Sequence, residues 1–313
     1  MLSLFLSIIF CLQANQPAQI DGQFSIDEAR DRLYSLHQAN QQASQVRIEK
    51  VRDNVYSLYG ANSNMGLIVG EDCLVLVDNQ FERTVPAMMT AIKTVSDKPI
   101  RYIINTHQHS DHVGGNRVLA ADAYGIIAHA NTKAHIERGQ ARLEPERRGG
   151  LPNLLLGKQG DRTPASMSIS LGNQDIQVEY FGPCHSDGDV AVLVPSAKVA
   201  ILGDMLFLDQ LHYIELATGG SCQGLIDVIG QLLTLLPYDT MVIPGHGQVC
   251  DMKELARHRT FLQTALHHAR SNPDKTAREL AESFDKEPWK DKEPAGRINA
   301  WTSFFNTVKG PQS

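Results

Sequence analysis

The chain has 313 residues, 42% of them hydrophobic, which is enough to bury the core of one large domain or two small ones. Its 35 Asp and Glu against 29 Lys and Arg leave a net charge of −6, so no basic field exists to gather phosphate backbones or anionic lipid. Nucleic acid is excluded as an expected partner, and a small-molecule substrate is expected instead.

Residues 1–12 form an apolar run too short to span a bilayer as a helix, and polar residues follow from Gln13 to Pro17. This predicts a secretory signal over residues 1–19, hence a periplasmic or secreted protein that meets the membrane only through that segment if it stays uncleaved. Cys11 follows Ile9 and Phe10, where a lipid-modified cysteine would follow small residues. Ser25 to Glu28 reads as a capping box opening an amphipathic stretch over 26–43, an N-terminal helical extension (residues 20–45) outside the main domain.

From residue 46 onward short β-rich runs at 46–51, 55–59, 65–69 and 74–77 are separated by Asn, Gly and Asp turn signals and predict an antiparallel meander. Alternation follows: a helix near 85–95, a strand at 100–104, a helix near 117–121 and a strand at 126–128. Residues 139–163 fit no period and read as a loop, either a flap over a cleft or an ordinary surface connection. Strands at 168–171, 176–180, 190–194 and 199–202 repeat the rhythm. A helix at 225–236, a strand at 241–243 and helices at 252–269 and 277–284 complete it. The main domain is expected over 46–270, with a C-terminal helical segment over 271–313. Cys73, Cys184, Cys222 and Cys250 would permit two disulfides in any of three pairings, but a core of this size needs no staples, so four thiols are expected.

The chemistry concentrates after the strand at 100–104, in Thr106-His107-Gln108-His109-Ser110-Asp111-His112-Val113-Gly114-Gly115. His107 and His109, two apart, can point to one side of extended backbone, while Asp111 and His112 beyond a turn can face a second point. Imidazole nitrogen and carboxylate oxygen are zinc-type ligands, so one short loop can feed two metals. Polar loop histidines without a metal remain credible for any one residue, less so for four within six positions. Three further turns each place one ligand-type residue beside glycine after an apolar strand: His185 within Gly182 to Asp189, Asp204 after Gly203, and His246 between Gly245 and Gly247.

Over roughly residues 46–269 the sequence resembles the metallo-β-lactamase superfamily, with His-x-His-x-Asp-His as its most specific element. The resemblance implies an α/β fold, a four-layer αβ/βα sandwich with the metals in a cleft at one edge. It implies that His107, His109 and His185 hold a first divalent metal, that Asp111, His112 and His246 hold a second, and that Asp204 bridges them. Zinc is the expected ion. Asp78 matches the family's first acidic motif and would orient a ligand, or simply form a turn beside Asn79. Two cations sharing a water lower its pKa from about 15.7 to near 7, so a hydroxide nucleophile is expected, with Asp111 as the catalytic residue orienting it.

The family resemblance leaves the substrate open. Zinc β-lactamases of the best-known subclass carry Cys where this chain has Asp204, and a carboxylate-anchoring Lys where it has Phe207. Asp204 makes the site look more like glyoxalase II and lactone-hydrolysing relatives, although export argues against a cytosolic glutathione thioester. The leading reading is an exported hydrolase of an ester, lactone, thioester or amide, and β-lactam hydrolysis is the second. Single-iron sulfur dioxygenases on this fold use few of the second-site ligands, and a non-enzymatic binding protein would not need all seven. Residues 205–224, with His212, Tyr213, Glu215 and the Gly219 to Gly224 segment, are candidates for a substrate wall or for a rigid connection.

Overall fold

The computed structural model describes residues 45–208, 210–293 and 297–310. The expected signal segment and the expected helix over 26–43 lie outside the described residues. A first sheet holds seven strands in chain order: β1 (Arg47–Arg52), β2 (Val55–Tyr59), β3 (Asn64–Val69), β4 (Leu74–Val77), β5 (Ile100–Ile104), β6 (Gly125–His129) and β7 (Leu154–Leu156). The meander β1 to β4 is antiparallel and β4 to β7 are parallel. The second sheet is built from β8 (Ala165–Ser170), β9 (Asp175–Tyr180), β10 (Ala191–Val194), β11 (Val199–Phe207), β12 (Met241–His246) and β13 (Cys250–Asp251), in the order 13-12-11-10-9-8. Only β11 and β12 run parallel in it.

Alternation along each strand divides the apolar residues between two interfaces. In β4, Val75 and Val77 join the layer between the sheets with Val178, Val192, Ile201 and Ile243, while Leu74 and Leu76 face outward. That outward face is covered by α1 (Val85–Lys93) through Val85, Met88 and Ile92. In β10, Val192 and Val194 turn inward and Ala191 and Leu193 meet the opposite helical layer. The result is helix, sheet, sheet, helix, the four-layer α/β sandwich that the sequence rhythm and the resemblance predict.

The second helical layer consists of α5 (Cys222–Leu235), capped by the Ser221 hydroxyl accepting from Gly224 N at 3.1 Å, and α6 (Met252–Arg270), capped by Asp251. Beyond it, α7 (Ala277–Ser283) opens with a Thr276/Glu279 capping box, and α8 (Ile298–Lys309) follows. Phe284, Trp289, Trp301, Phe304 and Phe305 belong to the same core cluster as Leu202, Leu225 and Phe261. Residues 271–293 and 297–310 therefore share one core with the second sheet. Among the described residues no helix is long and apolar enough to cross a membrane, and Cys73, Cys184, Cys222 and Cys250 are free thiols.

Two elements depart from the expected order. A helix, α4, occupies Ala130–Gln140, where no period is evident in the sequence because its buried residues are few and mostly small or polar. Within the expected loop, Leu154 to Leu156 add the edge strand β7, pairing in parallel with 127–129. Parallel pairing opens the carboxyl ends of β4, β5 and β6 on one edge, and those of β11 and β12 on the facing sheet, where loops are free to carry function. Asn64 Nδ2 crosses between the sheets to Pro244 O (3.0 Å) and Gly247 O (2.7 Å), and Val190 N donates to Thr106 O (2.9 Å).

Candidate metal centre

The site begins where β4 ends. Asp78 and Gln80 both stand at φ 59°, the left-handed region that Asp enters more readily than branched residues. This turn is the bed for the loop after β5. Thr106 donates to Asp78 Oδ1 from its backbone N (2.8 Å) and to Oδ2 from its hydroxyl (2.7 Å), and Gly115 N donates to Gln80 O (3.0 Å) and Asn79 Oδ1 (2.8 Å). A Cβ on Gly114 would lie 2.5 Å from Ser110 O and 2.7 Å from Gln80 O, so the backbones can approach only because the residue is glycine. Held this way, His109 is extended and stands at the residue before the short helix α2 (Ser110–Val113), which carries Asp111 and His112; another one-turn helix, α3 (Asn116–Leu119), follows.

The second sheet supplies the rest. Asp204 Oδ2 lies 3.3 Å from His107 Nε2, 3.7 Å from His109 Nδ1 and 3.6 Å from His185 Nε2. Its other oxygen lies 3.1 Å from His112 Nε2 and 3.3 Å from His246 Nε2, and Asp111 Oδ2 stands 3.8 Å from each of those two nitrogens. The donor atoms of His107, His109, His185 and Asp204 fall within 4.8 Å of one another, as do those of Asp111, His112 and His246. All seven residues singled out in the sequence meet in two adjoining clusters with Asp204 between them.

The far nitrogens of four imidazoles are engaged elsewhere, which decides which nitrogen faces inward. His112 Nδ1 donates to Asp78 Oδ2 (2.8 Å), His185 Nδ1 to Tyr213 O (2.7 Å) and His109 Nε2 to Glu215 Oε2 (3.2 Å). His107 Nδ1 lies 3.1 Å from the Thr106 hydroxyl, whose proton goes to Asp78 and whose oxygen accepts. Burial raises the Asp78 carboxyl despite His112 and Thr106, and burial drives His107 well below the ordinary histidine range. Burial would raise Asp204 too, yet His112 and His107 beside it hold it well below the usual carboxylate range.

A divalent cation fits this arrangement on its own chemistry. His107 Nε2, His112 Nε2 and Asp204 Oδ1 are buried without a hydrogen-bond partner, and such orphans cost about 1–3 kcal/mol each when nothing satisfies them. They belong to two adjoining clusters whose donors are all N or O, a set that suits zinc-type ions.

Asn62, whose Nδ2 donates to Asp111 Oδ2 at 2.7 Å, is a site contact that sequence reasoning missed; a polar loop residue carries no periodic signal. Of the expected wall, Glu215 instead holds His109, and Tyr213 is 43% exposed at the rim with its ring 6.2 Å from His185 and 6.5 Å from His109. His212 is buried, its ring 4.5 Å from Phe207 and its Nδ1 3.1 Å from His258 Nε2. The glycine segment is a close-packed connection: a Cβ on Gly220 would meet His185 O at 2.1 Å, and one on Gly224 would meet Pro183 O at 2.1 Å.

Fold and paired clusters together define a metallo-hydrolase. The sequence profile of the metallo-beta-lactamase superfamily matches residues 58–246, and the chain belongs to that family. It is 29% identical over 157 residues to the probable metallo-hydrolase YqgX of Bacillus subtilis, covering 48% of this chain and 70% of that one. It is 30% identical over 152 residues to a hydroxyacylglutathione hydrolase of Nitrosococcus oceani, covering 48% of this chain but only 49% of the relative's length. The crystal structure of the DIM-1 metallo-beta-lactamase superposes with a TM-score of 0.58 at 19% identity, covering 71% of this chain and 98% of that one, a likeness of fold.

Proposed function

We propose that this protein is an exported hydrolase that binds two divalent metal ions, zinc by expectation, and cleaves an ester, lactone, thioester or amide. The observation that carries the reading is Asp204, one oxygen of which faces three imidazoles while the other faces two. His107, His109 and His185 are the proposed ligands of the first ion and Asp111, His112 and His246 those of the second, with Asp204 shared. Bound there, the ions would polarise the scissile carbonyl and supply a nucleophile from water at neutral pH.

The chain's own residues then have defined tasks. Asp78, Tyr213 O and Glu215 keep His112, His185 and His109 in the tautomers that aim lone pairs inward. Asp111, steadied by Asn62, presents its carboxylate beside His112 and His246, where it can hold and orient the attacking group. Phe207, buried with its ring 4.5 Å from His246, stands where a cation would anchor a β-lactam carboxylate, which supports the acyl-ester class over that alternative. The similarity to a hydroxyacylglutathione hydrolase supports the same class.

Metal analysis of mature protein, followed by an ester, lactone, thioester, amide and β-lactam screen with and without chelator, tests the proposal. Close to two equivalents and chelator-sensitive acyl hydrolysis are expected; one bound iron in a fully loaded sample would refute it. Export is tested on protein from the native host, whose N-terminus should begin after Ala14 or within the next few residues. An intact Met1 in a cytosolic fraction would refute export.

A further inference from the structure

A groove of about 700 Å³ adjoins the loop that carries His107 to His112. Gln108 and Ser110, which alternate along that loop with His107, His109 and Asp111, line it. Phe81, Val113, Ile136 and Leu143 give it an apolar lining. Three guanidiniums, Arg83, Arg117 and Arg147, stand around them against one carboxylate, Glu82. Arg117 is committed to Glu82, its Nε 3.1 Å from Oε2 and a second prong closing the pair. That leaves Arg83, stacked 4.3 Å over the Phe81 ring, and Arg147 as cations facing an apolar hollow. In a chain of net charge −6 this is a local reversal of sign.

An apolar hollow beneath two exposed guanidiniums selects an organic anion with an apolar body, because the body gains from burial and the head from charge-assisted contacts with Arg. Taking the hydrolase reading as its basis, we propose that this groove receives the carboxylate-bearing end of the substrate. The substrate is then an acid ester or acid amide whose free carboxylate lies across an apolar spacer from the bond that is cleaved. Gln108 lies between two proposed ligands in the chain and lines the groove, so the groove adjoins the loop that carries the reacting centre.

The test is calorimetric titration of the metal-loaded protein with octanoate and with octanol. Octanoate should bind at least tenfold more tightly than octanol, and its affinity should fall as NaCl is added. R83A/R147A should lower octanoate affinity at least tenfold and leave octanol binding in place, and R83E/R147E should turn the preference toward octylammonium, a result that collapse of the groove cannot produce. Octanoate binding no tighter than octanol, or unmoved by R83A/R147A, would place the carboxylate elsewhere and overturn the proposal. So would loss of both probes together with no reversal in R83E/R147E. In turnover, R83A/R147A should raise KM for the 4-nitrophenyl half-ester of an eight-carbon diacid at least tenfold relative to KM for 4-nitrophenyl octanoate; an unchanged ratio overturns the substrate assignment. Because octanoate is not hydrolysed, failure of every compound in the screen would sink the hydrolase reading while the groove's preference for an anion still stood, and failure of the octanoate preference would sink this proposal alone.

Discussion

Asp78→Asn isolates what one buried carboxylate does for the centre. The substitution keeps the size of the side chain and its left-handed backbone, which Asn also adopts. Asp78 Oδ1 accepts from Thr106 N, so an amide keeps its oxygen there and turns its NH₂ toward the Thr106 hydroxyl and His112 Nδ1. His112 must then accept at Nδ1 and carry its proton on Nε2, the atom 3.1 Å from Asp204 Oδ1. The lone pair that would meet the second ion is gone. Partners of this kind are worth about 10–100-fold in metal affinity, or about 1.4–2.8 kcal/mol, and the upper end is expected because the tautomer is reversed rather than loosened. The metal-free fold should lose little, since burial already penalises a charge at this position. Competition against a chromophoric chelator gives both stepwise affinities, with melting temperature and kcat measured on the same sample. Two unchanged affinities with a melting temperature about 4 °C lower would refute the reasoning and leave Asp78 as a brace for the Thr106 turn.

Asp204→Ala removes the one carboxylate shared by both clusters; it should release mainly the second ion and depress kcat far more than KM, and two retained ions with a lowered melting point would exclude the bridging role. Gly220→Ala forces a methyl group to within 2.1 Å of His185 O and 2.8 Å of Glu215 O, so titration should show first-site metal binding weakened by about tenfold, and unchanged binding would mean the segment yields. Trp301→Ala empties a fully buried site beside Phe261, Phe284 and Phe304 and should cost about 3–5 kcal/mol in a urea unfolding series. A loss under about 1 kcal/mol would show that α8 is only loosely attached.

The strands were legible because short β-rich runs such as Leu74 to Val77 are bounded by Asn, Gly and Asp turn signals, and α5 and α6 because their apolar stretches are long, although the start of α5 at Cys222 lies three residues before the expected 225. The helix at 130–140 was not, since Asn131, Thr132 and Ile136 make a core face too narrow to stand out from its charged neighbours. Leu154 to Leu156 gain strand character only from pairing with β6, a contact that local sequence cannot announce. The clustered residues could be singled out because four share one loop and the others sit on glycine-flanked turns. Asn62, Tyr213 O and Glu215 could not be assigned their partners, because each acts on a residue between 28 and 106 positions away. Glu215 was noticed, but as a wall.

The division of the centre between two sheets has a consequence for how the protein would be loaded. The loop after β5 emerges from the ribosome carrying His107, His109, Asp111 and His112, yet neither cluster exists until Asp204, His185 and His246 arrive from the second sheet and the two sheets dock. Ion capture would thus be a late event, coupled to closure of the interface rather than to synthesis of the loop. If the proposed export precedes folding, the ions available on the far side of the membrane, and not those of the cytosol, would decide which metal the centre keeps.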